Sequence, residues 1–362
     1  MTTIRNLSNS LKEFDFVMIG AHLPKANYFP KMLILIEIIE ERGFTVGFYG
    51  KGRCLVSYDF APKFENELNL AVENGIPRVL IREETDTVYP YQYSPEVETQ
   101  FSRIFTLGAI PGTVFGDCLK FPYQPYRHHH KNQGRISLSR ILRDFDESGV
   151  YSAELWGKRK EKILFVGANK MIEHDELYQL RRQIIHSLGE AIEVYGDNWQ
   201  LFSLKKMIYL VKYLKYSYEN NRHVRFSDVK NFILTRVKSE KDTLDDKLSA
   251  LVKSKYNLIF ENSYNFVTEK VFDAIICGAI PIYFGSEEIF SPRLREIVWV
   301  IKPNISLKQA LLEIDKVSRI DYRKWLGNTR EFLYSEEFLE NWTAQSVFSN
   351  LADELCKLVV RK

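Results

Sequence analysis

Residues 256–285, YNLIFENSYNFVTEKVFDAIICGAIPIYFG, constrain the fold more tightly than any other stretch. The run 256–260 is short and apolar, bounded behind by Glu261-Asn262-Ser263, and reads as a buried strand. From Thr268 the period changes. Val271, Phe272, Ile275 and Ile276 recur at helical spacing, and Gly278 follows as a stop. A second apolar, β-prone run, 279–284, closes at Gly285. Strand, loop, helix, strand is the repeating unit of a parallel sheet. Glu261, Asn262, Ser263, Thr268, Glu269 and Lys270 all fall between the strand end and the first helical turn. A helix N-terminus there offers unpaired N–H groups and a partial positive charge to an anion. Lys270 would add a full charge, and Glu269 could accept from ligand hydroxyls. The plainer alternative is a capping box on Thr268 beside a solvated Lys-Glu pair.

The same alternation runs upstream. Strands are expected at 14–20 (FDFVMIG), 44–49 (FTVGFY), 77–82 (PRVLIR) and 104–107, with helices at 28–42 and 64–74. This is the pattern of a Rossmann-like α/β domain, placed at 1–150. In open α/β sheets ligands gather beyond the carboxyl ends of strands. That rule makes Arg82-Glu83-Glu84-Thr85-Asp86 a second candidate site, with an exposed acidic turn as the alternative. Residues 147–162 are polar, hold Gly149 and Gly157, and are read as the domain boundary.

A second α/β domain is expected at 160–335, with strands at 162–166 (KILFV) and 191–195 (AIEVY) and a helix at 175–188 between them. Helices at 204–218 and 226–237 form an insertion of about 202–246. Its Lys205, Lys206, Tyr209, Lys212, Tyr213, Lys215 and Tyr216 suit contact with a membrane surface or a lipid-linked acceptor. An amphipathic packing helix is the plainer reading. Beyond Gly285 come an apolar strand (VWVI), helices at 306–319 and 323–335, and a closing C-terminal helix within 336–362.

Several function classes lose support. The net charge of +3 gives no concentrated basic face for nucleic acid. Cys54, Cys118, Cys277 and Cys356 are far apart and form no zinc pattern, so a reducing compartment fits. His128-His129-His130 is read as an exposed basic loop rather than a metal site. Asp144-Phe145-Asp146 follows no strand and is read as a helix end and surface turn. The first strand lacks a Gly-x-Gly-x-x-Gly, which argues against a nicotinamide dehydrogenase. No secretory signal or membrane-spanning run is visible.

FENSYNFVTEKVFDAIICGAIPIYFG resembles the donor-binding motif of the family-ten glycosyltransferases, the α-1,3/1,4-fucosyltransferases. The matching positions are Phe260-Glu261-Asn262-Ser263, Val267-Thr268-Glu269-Lys270, Ala274, Gly278, Pro281 and Gly285. Residues 163–169, ending in Gly167-Ala168-Asn169, resemble the family's first donor-domain strand and loop. Tyr195-Gly196 resembles its strand-Tyr-Gly turn. The segment from Pro77 to Tyr93 resembles its acceptor-domain segment, where an acidic residue past a strand is the catalytic base.

The resemblance implies a GT-B fold, two Rossmann-like domains facing across a cleft, and an inverting, metal-independent transfer needing no cofactor. The donor would be a nucleotide sugar, GDP-fucose by default. Lys270, the helix start near Thr268 and main-chain groups near Asn169 would hold its diphosphate. Asn262 and Glu269 would meet the ribose or sugar, among Glu261, Ser263, Phe266, Val267 and Tyr195. Glu83 or Glu84 would be the base. His174 stands near the place of the family's phosphate-binding Arg, which is missing, with Arg181 and Arg182 following. Phe266 replaces a Tyr, so a sugar-facing hydroxyl is absent, and the spacer Tyr264-Asn265 is short. A different nucleotide sugar, or a glycan- or nucleotide-binding protein without turnover, therefore remains an alternative. The expected acceptor is a glycan or lipid-linked oligosaccharide of bacterial surface polysaccharide. The expected location is the cytoplasm, with the inner face of the membrane open to it.

Overall fold

The structure, a computed structural model, describes residues 13–20, 30–48, 50–86, 89–127, 134–135, 137–170, 176–199, 204–219, 224, 226–234, 240–241, 246–302 and 304–360. The chain divides into two compact units, Met1–Pro122 with Leu339–Lys362, and Tyr123–Phe338.

The first unit is built on β1 (Glu13–Gly20), β2 (Val46–Gly47), β3 (Lys51–Tyr58), β4 (Arg78–Arg82), β5 (Arg103–Leu107) and β6 (Asp117–Leu119). They form one parallel sheet in the order β2-β1-β3-β4-β5-β6. Successive side chains in a strand point to opposite faces. Phe16, Met18, Cys54 and Val56 accordingly join the helices Pro30–Glu41 and Ala344–Val360 in one core. Val17, Ile19, Leu55 and Leu80 join Leu68 and Ala71 of the helix Glu65–Glu73 in the other. Both faces are covered, which is why these strands read as nearly continuous apolar runs.

One strand departs from expectation. The run 44–49 shrinks to the two residues of β2, and β3, which the sequence pattern did not announce, takes a central place in the sheet. It opens on Lys51-Gly52-Arg53, so its apolar signal starts only at Cys54. Gly52 is required there, because an added Cβ would lie 2.6 Å from Val17 Cγ2.

The second unit opens with an antiparallel pair, β7 (Tyr126–Arg127) and β8 (Gly134–Arg135). Its main sheet holds β9 (Ile163–Val166), β10 (Ile192–Tyr195), β11 (Glu240–Lys241), β12 (Tyr256–Phe260), β13 (Ile280–Phe284) and β14 (Trp299–Ile301). The order is β11-β10-β9-β12-β13-β14, all parallel. Counted from β9, this is the 3-2-1-4-5-6 order of a doubly wound Rossmann sheet, whose direction of winding reverses between β9 and β12.

The expected boundary at 147–162 is corrected to Pro122/Tyr123. Polarity and glycines suggested a linker, but Tyr151 and Arg159 bond within the second unit. Tyr151 donates to Ile276 O at 2.7 Å. The buried Arg159 guanidinium donates to Val150 O at 2.6 Å, Cys277 O at 2.9 Å and Gly278 O. These carbonyls lie where the helix Glu269–Ile276 runs out. Gly278 turns the chain there with φ +65°, and an added Cβ would meet Arg159 at 2.8 Å. At the other end, the expected closing helix is two helices, Glu336–Asn341 and Ala344–Val360, with the unit boundary inside the first. No helix among the described residues is long and apolar enough to cross a membrane.

With Ser254 O at 3.5 Å as a fourth acceptor, Arg159 ties four carbonyls with one desolvated cation. Arg159→Met is expected to cost about 3 kcal/mol of stability, since hydrogen bonds to charged groups are lost and their acceptors stay buried. Urea denaturation reads this directly, and an unchanged midpoint contradicts the role.

Candidate functional site

The carboxyl ends of β9 and β12 carry the resembled motif. Glu261, first residue past β12, is fully buried. Its Oε1 accepts the Thr268 amide at 2.9 Å. Its Oε2 accepts the Thr268 hydroxyl at 2.9 Å and the Lys270 ammonium at 2.6 Å. Glu261 is therefore a strut that folds the loop 261–270 back on itself, with no exposed atom for a ligand. Burial pulls the Lys270 pKa down, but the Glu261 and Glu269 carboxylates outweigh it and hold it above the ordinary lysine value. The Lys270 side chain keeps 22% exposure.

The capping-box alternative is not what forms. Thr268 occupies the N-cap of the helix Glu269–Ile276, but its side chain makes no capping bond and turns to Glu261. Phe266 and Val267 lie in the same loop. Both side chains are buried, and Phe266 O accepts the Tyr283 hydroxyl at 2.9 Å. Asn262 and Ser263 remain half-buried at the loop surface, and Asn262 Oδ1 accepts the Tyr178 hydroxyl at 2.8 Å.

Beneath Lys270 lies a second charge set that the motif did not single out. Lys247 Nζ pairs with Asp273 Oδ2 at 2.6 Å and lies 4.0 Å from Glu269 Oε1. Tyr123 donates to Asp273 Oδ1 at 2.9 Å. Lysines and carboxylates thus alternate along one side of the helix start.

At β9, Asn169 is also buried. Its amide donates to Asp197 O at 2.8 Å and its Nδ2 to Asn198 O at 3.1 Å, clamping this loop to the turn after β10. Its Oδ1 is buried without a hydrogen-bond partner among the described residues. Arg181 and Arg182, from the helix Glu176–Leu188, are buried and donate to Ala168 O and Lys170 O, both at 3.1 Å. They hold the loop from within. Tyr195 packs against the core that includes Leu164 and Leu251. His174 and His128-His129-His130 lie outside the described residues. Asp146 lies in the helix Leu138–Glu147 and forms a two-point surface pair with Arg330, at 2.7 and 2.8 Å.

In the first unit, Glu83 and Glu84 follow β4 and are half-buried, not an exposed turn. Glu83 accepts from Lys31, first-turn residue of the helix Pro30–Glu41, and from the Tyr58 hydroxyl at the end of β3. Asp59, just past β3, sits beneath them, fully buried and with φ +52°. The amides of Glu83 and Glu84 and the Gln92 side-chain amide converge on Asp59 Oδ1 at 2.9, 3.1 and 3.2 Å. Its Oδ2 is buried without a partner among the described residues. Burial, then the Glu84 and Glu83 carboxylates, push the Asp59 pKa up to about 7. Tyr58 and Asp59 were missed with β3, and Lys31 was not singled out within its expected helix. Once that strand is placed, Tyr58-Asp59 stands past its carboxyl end as Glu83-Glu84 stands past β4. No described residues form a group of three or more His, Cys, Asp or Glu able to hold a metal.

The two doubly wound parallel sheets define an α/β protein of GT-B type, with two Rossmann-like domains. Among solved structures the chain is similar to an α1,3-fucosyltransferase with GDP-fucose, at 14% identity and TM-score 0.50, over 99% of this chain and 94% of the other. It is similar to HepE of Anabaena in complex with UDP and glucose, at 9% identity and TM-score 0.53, over 95% of this chain and 100% of the other. It is likewise similar to HepE in complex with UDP-glucose, at 11% identity and TM-score 0.52, over 94% and 99%. At these identities the likeness establishes the fold. No protein-family model matches the chain, and no curated protein does.

Because the folded-state pKa of Asp59 lies above the ordinary 3.8, the folded protein binds this proton more tightly than the unfolded chain. The resulting stability is present in full below about pH 4 and is lost as pH rises through about 7. Asp59→Asn keeps the acceptor oxygen and stays neutral. Its melting temperature relative to the parent is therefore expected to rise between about pH 5 and pH 8. A difference independent of pH would sink this assignment.

Proposed function

We propose that the protein is an inverting glycosyltransferase related to the family-ten fucosyltransferases, moving a sugar from a nucleotide sugar to a hydroxyl of a glycan. The observation that carries this reading is Lys270. Glu261 and Glu269 favour its charged form, and it lies in the first turn of a helix whose N-terminus no side chain caps. That turn follows β12, at the reversal of winding where such sheets take ligands. An ammonium and first-turn amides there suit a diphosphate, and they stabilise the charge that grows on it as the glycosidic bond breaks.

Asn262 and Glu269 are assigned to the ribose or sugar. Glu83 or Glu84 takes the proton of the acceptor hydroxyl as its oxygen attacks the anomeric carbon, which a single displacement inverts. As in the family that the motif resembles, these groups rather than a metal or cofactor are assigned the charge work. GDP-fucose is the default donor. A UDP-linked hexose is the second reading. It is favoured by the buried, hydroxyl-free Phe266 and by the likeness to a structure holding UDP-glucose. The acceptor class is a glycan or lipid-linked oligosaccharide of surface polysaccharide, met on the cytoplasmic side of the membrane.

A panel of nucleotide sugars in a thermal-shift assay is expected to single out GDP-fucose. Stabilisation by UDP-sugars alone would select the second reading, and no response to any would end both. Lys270→Gln is expected to weaken donor binding about 10–100-fold, the worth of a charge-assisted contact. One of Glu83→Gln and Glu84→Gln is expected to lower transfer about 10²–10⁴-fold with donor affinity kept. Small losses from both would remove them from the chemistry.

A further inference from the structure

We propose that the helix Leu204–Glu219 docks the protein on an anionic phospholipid surface through an apolar stripe that the described residues leave uncovered. The helix is already anchored on its other side. Leu210 is buried against Phe232 of the helix Phe226–Leu234, with Tyr213 and Val229 packed alongside. Lys206 is buried and donates to Ile233 O at 3.2 Å. Leu204, Met207, Ile208, Val211, Leu214 and Tyr218 are instead exposed, between 40% and 85%. At 100° per residue these six share one arc of about 120°, whose nearer edge lies about 40° from Leu210, and the stripe runs for about 21 Å. Lone exposed apolar residues need no explanation, but a continuous stripe marks a binding surface.

Charge decides the occupant. Between Leu204 and Lys238 the sequence holds nine Lys and Arg against two acids, in a chain whose net charge is only +3. Lys215 falls inside the apolar arc and Lys212 about 40° beyond it, and both are exposed. Lysine is depleted from the centres of protein–protein interfaces. At a bilayer the same arrangement is favourable, because aliphatic residues enter the acyl boundary while the ammonium groups reach back to headgroup phosphates. The sequence pattern pointed to the tyrosines and lysines of this segment. The structure moves the contact onto its Leu, Met, Ile and Val residues.

The test is flotation with vesicles of phosphatidylcholine alone and of phosphatidylcholine mixed with phosphatidylglycerol. The parent protein is expected to float with the mixed vesicles, less so at high salt, and to stay below the neutral ones. Val211→Asp with Leu214→Asp is expected to lower binding at least about tenfold. Lys212→Glu with Lys215→Glu is expected to lower it in the mixed vesicles. An unchanged melting temperature and nucleotide-sugar response would show both variants folded. The proposal is overturned if the parent does not bind mixed vesicles, if it binds both kinds equally, or if the aspartate variant binds like the parent. It is also overturned if sedimentation shows a dimer that this variant dissociates, since the stripe then belongs to a second copy. None of these outcomes depends on which sugar, if any, is transferred.

Discussion

Glu261 is fully buried, and a buried carboxylate is costly unless its lone pairs are filled and its charge matched. Three donors from two residues do this: the Thr268 amide, the Thr268 hydroxyl and the Lys270 ammonium. Meeting them forces the chain to return to the end of β12 within seven residues. That return fixes where the next helix starts, which way its first turn points, and where Lys270 can reach. Phe266 and Val267 lie on the inside of the bend, so their burial follows from the same closure. The partly exposed Lys270 side chain is what remains for solvent or an anion.

The first unit repeats the device with a different balance. Asp59 also lies just past a strand and also collects main-chain amides, those of Glu83 and Glu84. No cation among the described residues bonds to it, and its pKa rises instead. One loop is therefore held by a matched charge and the other by an acid that changes its charge near neutrality. Glu83, aimed by Lys31 and Tyr58, is held more firmly than a carboxylate on a mobile turn would be.

Much of this was legible because it is local. Helical spacing from Val271 to Ile276 and the stop at Gly278 give the helix, and apolar runs give β9, β10, β12 and β13. Elsewhere, signals were hidden by short-range features with long-range causes. The glycine in β3 reads as a break, yet it exists to let the strand lie against Val17. Polar residues of 147–162 read as a linker, yet Tyr151 and Arg159 find their acceptors more than a hundred residues later. The resemblance set Asn169 near the diphosphate, with Arg181 and Arg182 following the place of the missing Arg. Their partners are carbonyls of neighbouring turns, which no spacing rule displays.

The helix Ala344–Val360 shares a core with Phe16, Met18 and Val56. The first sheet is thus sealed by a helix that is made after the whole of the second unit. One apolar face of that sheet must wait while more than two hundred residues of the other unit are made. The second unit, continuous in sequence from Tyr123 to Phe338, can close on itself first. Domains usually mature in the order of synthesis, and here the chain's path reverses that order. A nascent chain halted before Ala344 would carry a finished second sheet and an unfinished first one, its open face an invitation to chaperones.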